Sequence, residues 1–192
     1  MKKACSKIIR ILTAPPIIAT LTLAVLFLFQ GALFGGALHF LLAVFSLGVL
    51  PMLAYPLQPF IPKFKDKGRD GQRTLAMIFS VCGYLLGTLT ALLLHAPTFV
   101  LLVYLAYLFS GILLTVINKL LHKKASGHAC GIAGPLALLS FFASPLTLLL
   151  SIPVYLSALW ASLEMKRHTL AQFLGGSAIP VCIILLLFPI LF

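Results

Sequence analysis

ALHFLLAVFSLGVLPMLAYPL (Ala37–Leu57), QPFIPKFKDKGRDGQR (Gln58–Arg73) and TLAMIFSVCGYLLGTLTALLL (Thr74–Leu94) follow one another without a gap. Two long uncharged apolar runs flank a short segment that carries Lys63, Lys65, Lys67, Arg69 and Arg73 with Asp66 and Asp70. A helix needs about 20 apolar residues to cross hydrocarbon. The passage therefore reads as two membrane crossings joined by a polar, cationic loop. Moving a charge through hydrocarbon costs several kcal/mol, so such segregation reflects a constraint.

The same pattern extends in both directions. Lys2, Lys3, Lys7 and Arg10 precede an apolar run at Ala14–Phe34, and Gly35–Gly36 turns it into the second run. Beyond Leu94, His95-Ala96-Pro97 makes a turn and Thr98–Ile117 forms a fourth run. NKLLHKKASGH (Asn118–His128) is the next polar loop. Ala129–Leu163, with Pro135, Pro145 and Pro153, is too long for one crossing and reads as a helical hairpin turning near Ser144–Pro153. Glu164–His168 is the last polar patch, and Leu170–Phe192 the last run. The chain is expected to be an all-α integral membrane protein, a single domain over residues 1–192 with a bundle of six to seven transmembrane helices.

Of 192 residues, 61% are hydrophobic and only 9% charged, and the mean hydropathy is +1.15. Soluble domains average about 25% charged residues. All 14 Lys/Arg and all three Asp/Glu fall in the four polar clusters. An even number of crossings between successive clusters places every formal charge on one face, and excess Lys/Arg marks the cytoplasmic side. Seven crossings would put the C-terminus outside. The basic start before an apolar run resembles a signal peptide, but no small-residue cleavage site follows, and it reads as a retained first helix. Lys2, Lys3, Lys7 and Arg10 are read as topology determinants. Cys5, Cys82, Cys130 and Cys182 are scattered, which argues against a disulfide framework or a metal cage. No Asp, Glu, Lys or Arg lies mid-span, which counts against ion-coupled transport. The net charge of +11 flanks apolar spans, so anionic lipid headgroups or phosphorylated ligands are the expected partners, and nucleic acid is not.

The three internal clusters offer cations, a Ser-Gly turn entering a helix, and two histidines, His128 and His168. Cations and helix-terminal amides bind phosphate, and paired imidazoles supply a nucleophile and a proton donor. The sequence resembles the type 2 phosphatidic acid phosphatase superfamily, whose motifs are KxxxxxxRP, PSGH and SRxxxxxHxxxD. The second is matched by ASGH (Ala125–His128), the third by ASLEMKRHTLAQFLGG (Ala161–Gly176), and the first more loosely by KGRDGQRT (Lys67–Thr74). The resemblance spans about Lys63–Gly176.

It implies that His168 attacks phosphorus to form a phosphohistidine and that His128 protonates the leaving alkoxide. Lys67 and Arg73 would clamp phosphate oxygens, and Ser126 with the Gly127 amide would bind another, without metal or other cofactor. Two positions depart from the pattern. Ser162 stands where the motif has arginine, and Arg69, Lys166 or Arg167 is the candidate substitute. Gln172 stands at the closing Asp; Gln172, Glu164 (if the intervening stretch is helical) and Asp70 are the candidates to orient the imidazole. Asp70 is also a candidate helix cap. The expected activity is metal-independent hydrolysis of a membrane lipid phosphate: phosphatidylglycerophosphate, phosphatidate, or a polyprenyl phosphate or diphosphate. The alternative is a non-catalytic phospholipid-binding or scaffold protein on the same bundle. The expected location is the inner membrane of a bacterial or archaeal cell.

Overall fold

Residues 2–192 are described by a computed structural model, apart from the side chain of Pro145. Among them there is no β-strand. The helices are α1 (Lys2–Leu12), α2 (Pro15–Gln30), α3 (Ala37–Val44), α4 (Leu50–Leu57), α5 (Gly68–Leu93), α6 (Thr98–Thr115), α7 (Gly127–Phe142), α8 (Pro145–Glu164) and α9 (Leu170–Leu191).

Several of these join into longer rods. A 3₁₀ turn extends α2 to Phe34, and a π turn at Phe45–Val49 fuses α3 to α4. Pro51 has no N–H and its ring crowds the preceding turn, so the helix widens just before it. Six rods are long and apolar enough to cross a membrane: Pro15–Phe34, Ala37–Phe60, Gly68–Leu93, Thr98–Leu120, Leu146–Glu164 and Leu170–Leu191.

The expected hairpin at Ala129–Leu163 forms, but its turn is confined to Ala143–Ser144, and Pro153 lies inside α8. Its first arm, α7, has 16 residues and covers about 24 Å at 1.5 Å per residue. That is short of the roughly 30 Å of a hydrocarbon core. Its neighbours explain how so short an arm is accommodated. α7 packs against α2, α8 and α9, and Ala129, Cys130 and Ile132–Leu136 are buried. α7 runs parallel to α9 in fixed register. The Ser126 amide donates to the Gln172 carbonyl at 2.9 Å, and Phe142 meets Phe188 with ring centroids 6.1 Å apart. The intervals 126 to 142 and 172 to 188 are equal, so the two helices stay level throughout.

The end away from the charges is dry. Phe34, Phe99, Phe142, Phe188 and Phe192 form a chain of ring contacts at 4.9 to 6.1 Å between centroids. Phe27 stacks on Phe40 at 4.2 Å, and both sit edge-on to Phe34. This ties the ends of α2, α3, α6, α7 and α9 together. His39 belongs here; its Nδ1 is 3.0 Å from the Phe34 carbonyl.

α1 reads differently from the rest. Ser6 and Thr13 are buried and Ile9 and Arg10 half-buried, on the side that meets α8. Ile8, Ile11 and Leu12 point outward and are 57–60% exposed. The cluster expected only to set topology is an amphipathic helix with its apolar face turned away from the protein.

Candidate functional site

Four local structures build the polar end. The first is the loop before α5. The buried Gln58 side chain donates through Nε2 to the carbonyls of Phe64 and Gly68, both at 2.9 Å, pinning the loop that carries Lys63, Lys65 and Lys67. α5 begins at Gly68, so Asp70 lies in its first turn, where a negative charge suits the helix dipole. It does not cap the helix; Lys67 occupies that position, without a side-chain bond. Lys67 turns its ammonium over the Phe64 ring, 5.9 Å from the centroid.

The second is the approach to α7. The Asn118 side chain clamps Ala125: its Oδ1 accepts from the Ala125 amide at 2.7 Å and its Nδ2 donates to the Ala125 carbonyl at 3.2 Å. This presents Ser126 at the helix start. Ser126 is fully buried and its Oγ accepts from the Ala129 amide at 3.2 Å. Its hydroxyl is therefore an N-cap. Gly127 is exposed, and the amides of Gly127 and His128 belong to the first helical turn, which has no internal acceptors. Gly176 makes this arrangement possible, because a Cβ there would run into the Ser126 carbonyl.

The third is the link from α8 to α9, which holds His168 between two helix caps. The Arg167 amide donates to the Ser162 carbonyl at 3.1 Å and the Lys166 amide to Leu163 at 2.9 Å. With Lys166 at φ 50°, this is a Schellman ending built on a lysine instead of glycine. Thr169 then opens α9 with a capping box: Thr169 Oγ1 accepts from the Gln172 amide, and Gln172 Oε1 accepts from the Thr169 amide. Met165–Thr169 is not helical, so Glu164 does not stand one helical turn from His168.

The fourth is the α1–α2 junction, which brings in residues that the motif reading passed over. Thr13 Oγ1 donates to the Ile9 carbonyl at 2.8 Å and lies 3.2 Å from His128 Nε2. A hydroxyl has one hydrogen, so with that geometry His128 donates from Nε2 to Thr13. Arg10, one turn earlier, is half-buried, and its Nη1 is buried without a hydrogen-bond partner. The signal was present in the sequence. Ser6, Arg10 and Thr13 share a helical face opposite Ile8, Ile11 and Leu12.

These pieces converge electrostatically. Burial, then the charges of Arg167, Arg73 and Arg69, lower the pKa of Arg10. His128 sits at the polar mouth of α7, outside the six long spans. Burial, then Arg10, then the His168 ring push its imidazole down to about 3. Burial lowers the pKa of His168 as well. Gln172 opposes that shift, and Lys124, Arg10 and Arg73 add to it. Gln172 is close but not aligned, since His168 Nδ1 is buried with no hydrogen-bond partner. No carboxylate is among the groups acting on these three side chains. His168 opens on a cleft of about 370 Å³ lined by Lys124, Leu163, Lys166, Arg167, Thr169 and Gln172.

Of the expected residues, His128 is within electrostatic reach of His168, and Arg73 of His168; Arg69, Arg73 and Arg167 all reach Arg10, which itself acts on both imidazoles, and Lys124 acts on His168. Ser126 is below the surface, Lys67 is turned onto Phe64, Asp70 lies in the first turn of α5, and Glu164 is the last residue of α8. Ser162 is buried in α8, and its Oγ has no partner. A second cavity, about 330 Å³ between α6 and α9, is lined only by apolar side chains such as Phe109, Val116, Ile183 and Leu187. Among the described residues, no three His, Cys, Asp or Glu side chains gather to hold a metal ion.

No family model, curated protein or solved structure matches the chain.

Proposed function

We propose that the protein is a metal-independent lipid phosphate phosphatase acting through a phosphohistidine on His168. The observation that carries this reading is that Arg10 acts on both half-buried imidazoles, Lys124 and Arg73 act on His168, Arg69 and Arg167 gather about Arg10, and no carboxylate is among these groups. An oxyanion is the complement of such a site. The positive-inside rule makes this end cytoplasmic, so substrates carry their phosphate at the inner leaflet. Phosphatidylglycerophosphate, phosphatidate and polyprenyl phosphates or diphosphates are that class.

The chemistry follows from the protonation states. His168 must be neutral to attack, and its lowered pKa keeps it so near neutral pH. A ring nitrogen bonds to phosphorus as the P–O bond to the leaving group breaks. His128 passes a proton to the departing alkoxide, or to a departing phosphate when the substrate is a diphosphate. Water, deprotonated by His128, then cleaves the P–N bond and releases phosphate. Burial first, and then the Arg10 charge, hold His128 neutral. An arriving dianion reverses that field and lets His128 carry its proton. The cations stabilise the charge on the transferred group, as magnesium does in other phosphoryl transfers.

Incubating the purified protein with each lipid phosphate should release inorganic phosphate, and His168→Ala should abolish release, a loss of at least about a thousandfold. Undiminished release by that variant removes the nucleophile assignment.

A second reading is a non-catalytic phospholipid-binding protein on the same bundle. Two observations favour it. Gln172 spends its Oε1 on the α9 cap, and His168 Nδ1 lacks an orienting acceptor. Tight vanadate binding with turnover supports the enzyme, and lipid binding with no released phosphate supports the alternative.

A further inference from the structure

We infer that Arg10 is a phosphoryl-oxygen ligand of this site, delivered by an amphipathic helix lying in the membrane surface. α1 is then part of the binding machinery as well as a marker of topology. The inference rests on the anion-site reading of the preceding subsection.

The placement of α1 is the first argument. Its outward face carries Ile8, Ile11 and Leu12, all more than half exposed, while its inward face carries Ser6, Arg10 and Thr13. In water that helix would be inside out. At the boundary of a bilayer the outward face enters the acyl region and Lys2, Lys3 and Lys7 meet headgroups. This sets Arg10 at headgroup depth, on the protein side.

The second argument is the state of the guanidinium. Arg10 Nη1 is buried and donates to nothing, and its charged neighbours are three other guanidiniums. A buried donor without an acceptor is costly, and an uncompensated buried charge more so. Arginines crowded in this way need an anion to complete them, and the planar fork of Arg suits two oxygens of one phosphoryl group.

The third is the anchor. Thr13 lies one turn after Arg10 and meets His128 at 3.2 Å, and α1 packs on α8, the helix that carries the buried Ser162. The end of α1 is thus fixed against His128, the proposed proton donor. The ligand chemistry is a phosphomonoester or diphosphate oxyanion, from a lipid headgroup or from free phosphate.

The test measures binding by the full chain. Orthovanadate and inorganic phosphate are titrated in detergent, and phosphatidate in nanodiscs, with wild type, Arg10→Met, Arg10→Lys and the triple variant Lys2→Ala/Lys3→Ala/Lys7→Ala. Arg10→Met should weaken vanadate and phosphatidate roughly ten- to a hundredfold. Arg10→Lys should fall between, and the triple variant should stay near wild type for vanadate. Thermal unfolding of Arg10→Met without ligand should be no lower than wild type, since the change removes an unpaired charge but keeps the apolar stem.

Loss for vanadate and phosphate with phosphatidate unaffected keeps Arg10 as a ligand and makes free phosphate its source. Wild-type affinity in Arg10→Met, while His168→Ala still abolishes lipid phosphate turnover, overturns the Arg10 assignment and leaves the phosphatase reading standing. Reduced affinity accompanied by lowered thermal stability in both Arg10 variants makes the residue a packing element and likewise overturns it. No binding of any of the three ligands by wild type brings down the anion site, and this inference with it.

Discussion

The two ends of the bundle are built on opposite principles. The uncharged end is welded by aromatic rings from five helices, with Phe34, Phe99 and Phe142 at its centre. The charged end rests on two smaller apolar clusters, about Phe173 and about Phe64, and adds helix caps and single hydrogen bonds: Asn118 on Ala125, Ser126 on Ala129, Thr13 on His128, and the Thr169–Gln172 box. Apolar packing has no direction and tolerates no charge, so it fixes helices without presenting chemistry. Caps aim individual groups and leave side chains free to meet a ligand. Aromatic packing and charged groups are separated along the bundle axis.

If that separation holds, damage to one end should spare the other. Phe99 is 2% exposed and touches Phe34 and Phe142. In water, Phe→Ala in a core costs about 3–5 kcal/mol. In lipid much of the transfer part falls away and the packing part remains, for a loss on the order of 3 kcal/mol. Phe99→Ala should lower the unfolding temperature in detergent, yet leave vanadate affinity near wild type well below that temperature. An equal loss of affinity in the folded variant would show that the two ends are coupled.

Gly176 sharpens the comparison, because it sets the depth of the site. A Cβ there meets the Ser126 backbone, so Gly176→Ala must push α7 and α9 apart at the cap. Overpacking of this kind costs about 1–3 kcal/mol. The consequence expected at the charged end is a displaced His128 and a clear fall in phosphate release. Gly175→Ala, one residue away and facing open space, should change neither stability nor release. The same result for both variants would mean that the α7–α9 register does not position the site.

Much of the fold was legible because hydrocarbon imposes a length rule that composition reveals directly. The runs before and after Gln58–Arg73, the turn at Gly35–Gly36 and the hairpin near Ser144 all appear as helices and turns. The short span of α7 was not legible, because its length is set by register against α9. At the candidate site the helix start at Ser126–His128 was legible from its Ser-Gly turn, and Lys166–His168 was legible as a polar break between two apolar runs. Arg10 and Thr13 were not, because a basic N-terminal segment before an apolar run has a sufficient explanation in topology. The packing of α1 on α8 and of α2 on α7 brings them near His128. Glu164 was given a helical relation to His168 that the Schellman ending at Lys166 removes.

The smallest expected effect tests the electrostatics of the charged end alone. His168 has a lowered pKa in the folded protein, so it remains neutral below its ordinary value of about 6.5. The acid limb of kcat/KM, which reports the free enzyme, should therefore lie below pH 6.5, with activity lost as falling pH protonates His168, the proposed nucleophile. Lys124 is the first of the cations acting on that ring. Lys124→Met removes a charge that disfavours the imidazolium, so the limb should move up toward 6.5. The shift should be less than one pH unit, which is under about 1.4 kcal/mol, and it should shrink in high salt, where exposed charges are screened. A downward move would reverse the sign of the interaction and remove Lys124 from the field at His168. An unmoved limb that already sits at 6.5 would mean that the charged end does not tune its histidine, leaving cation placement as a matter of binding only.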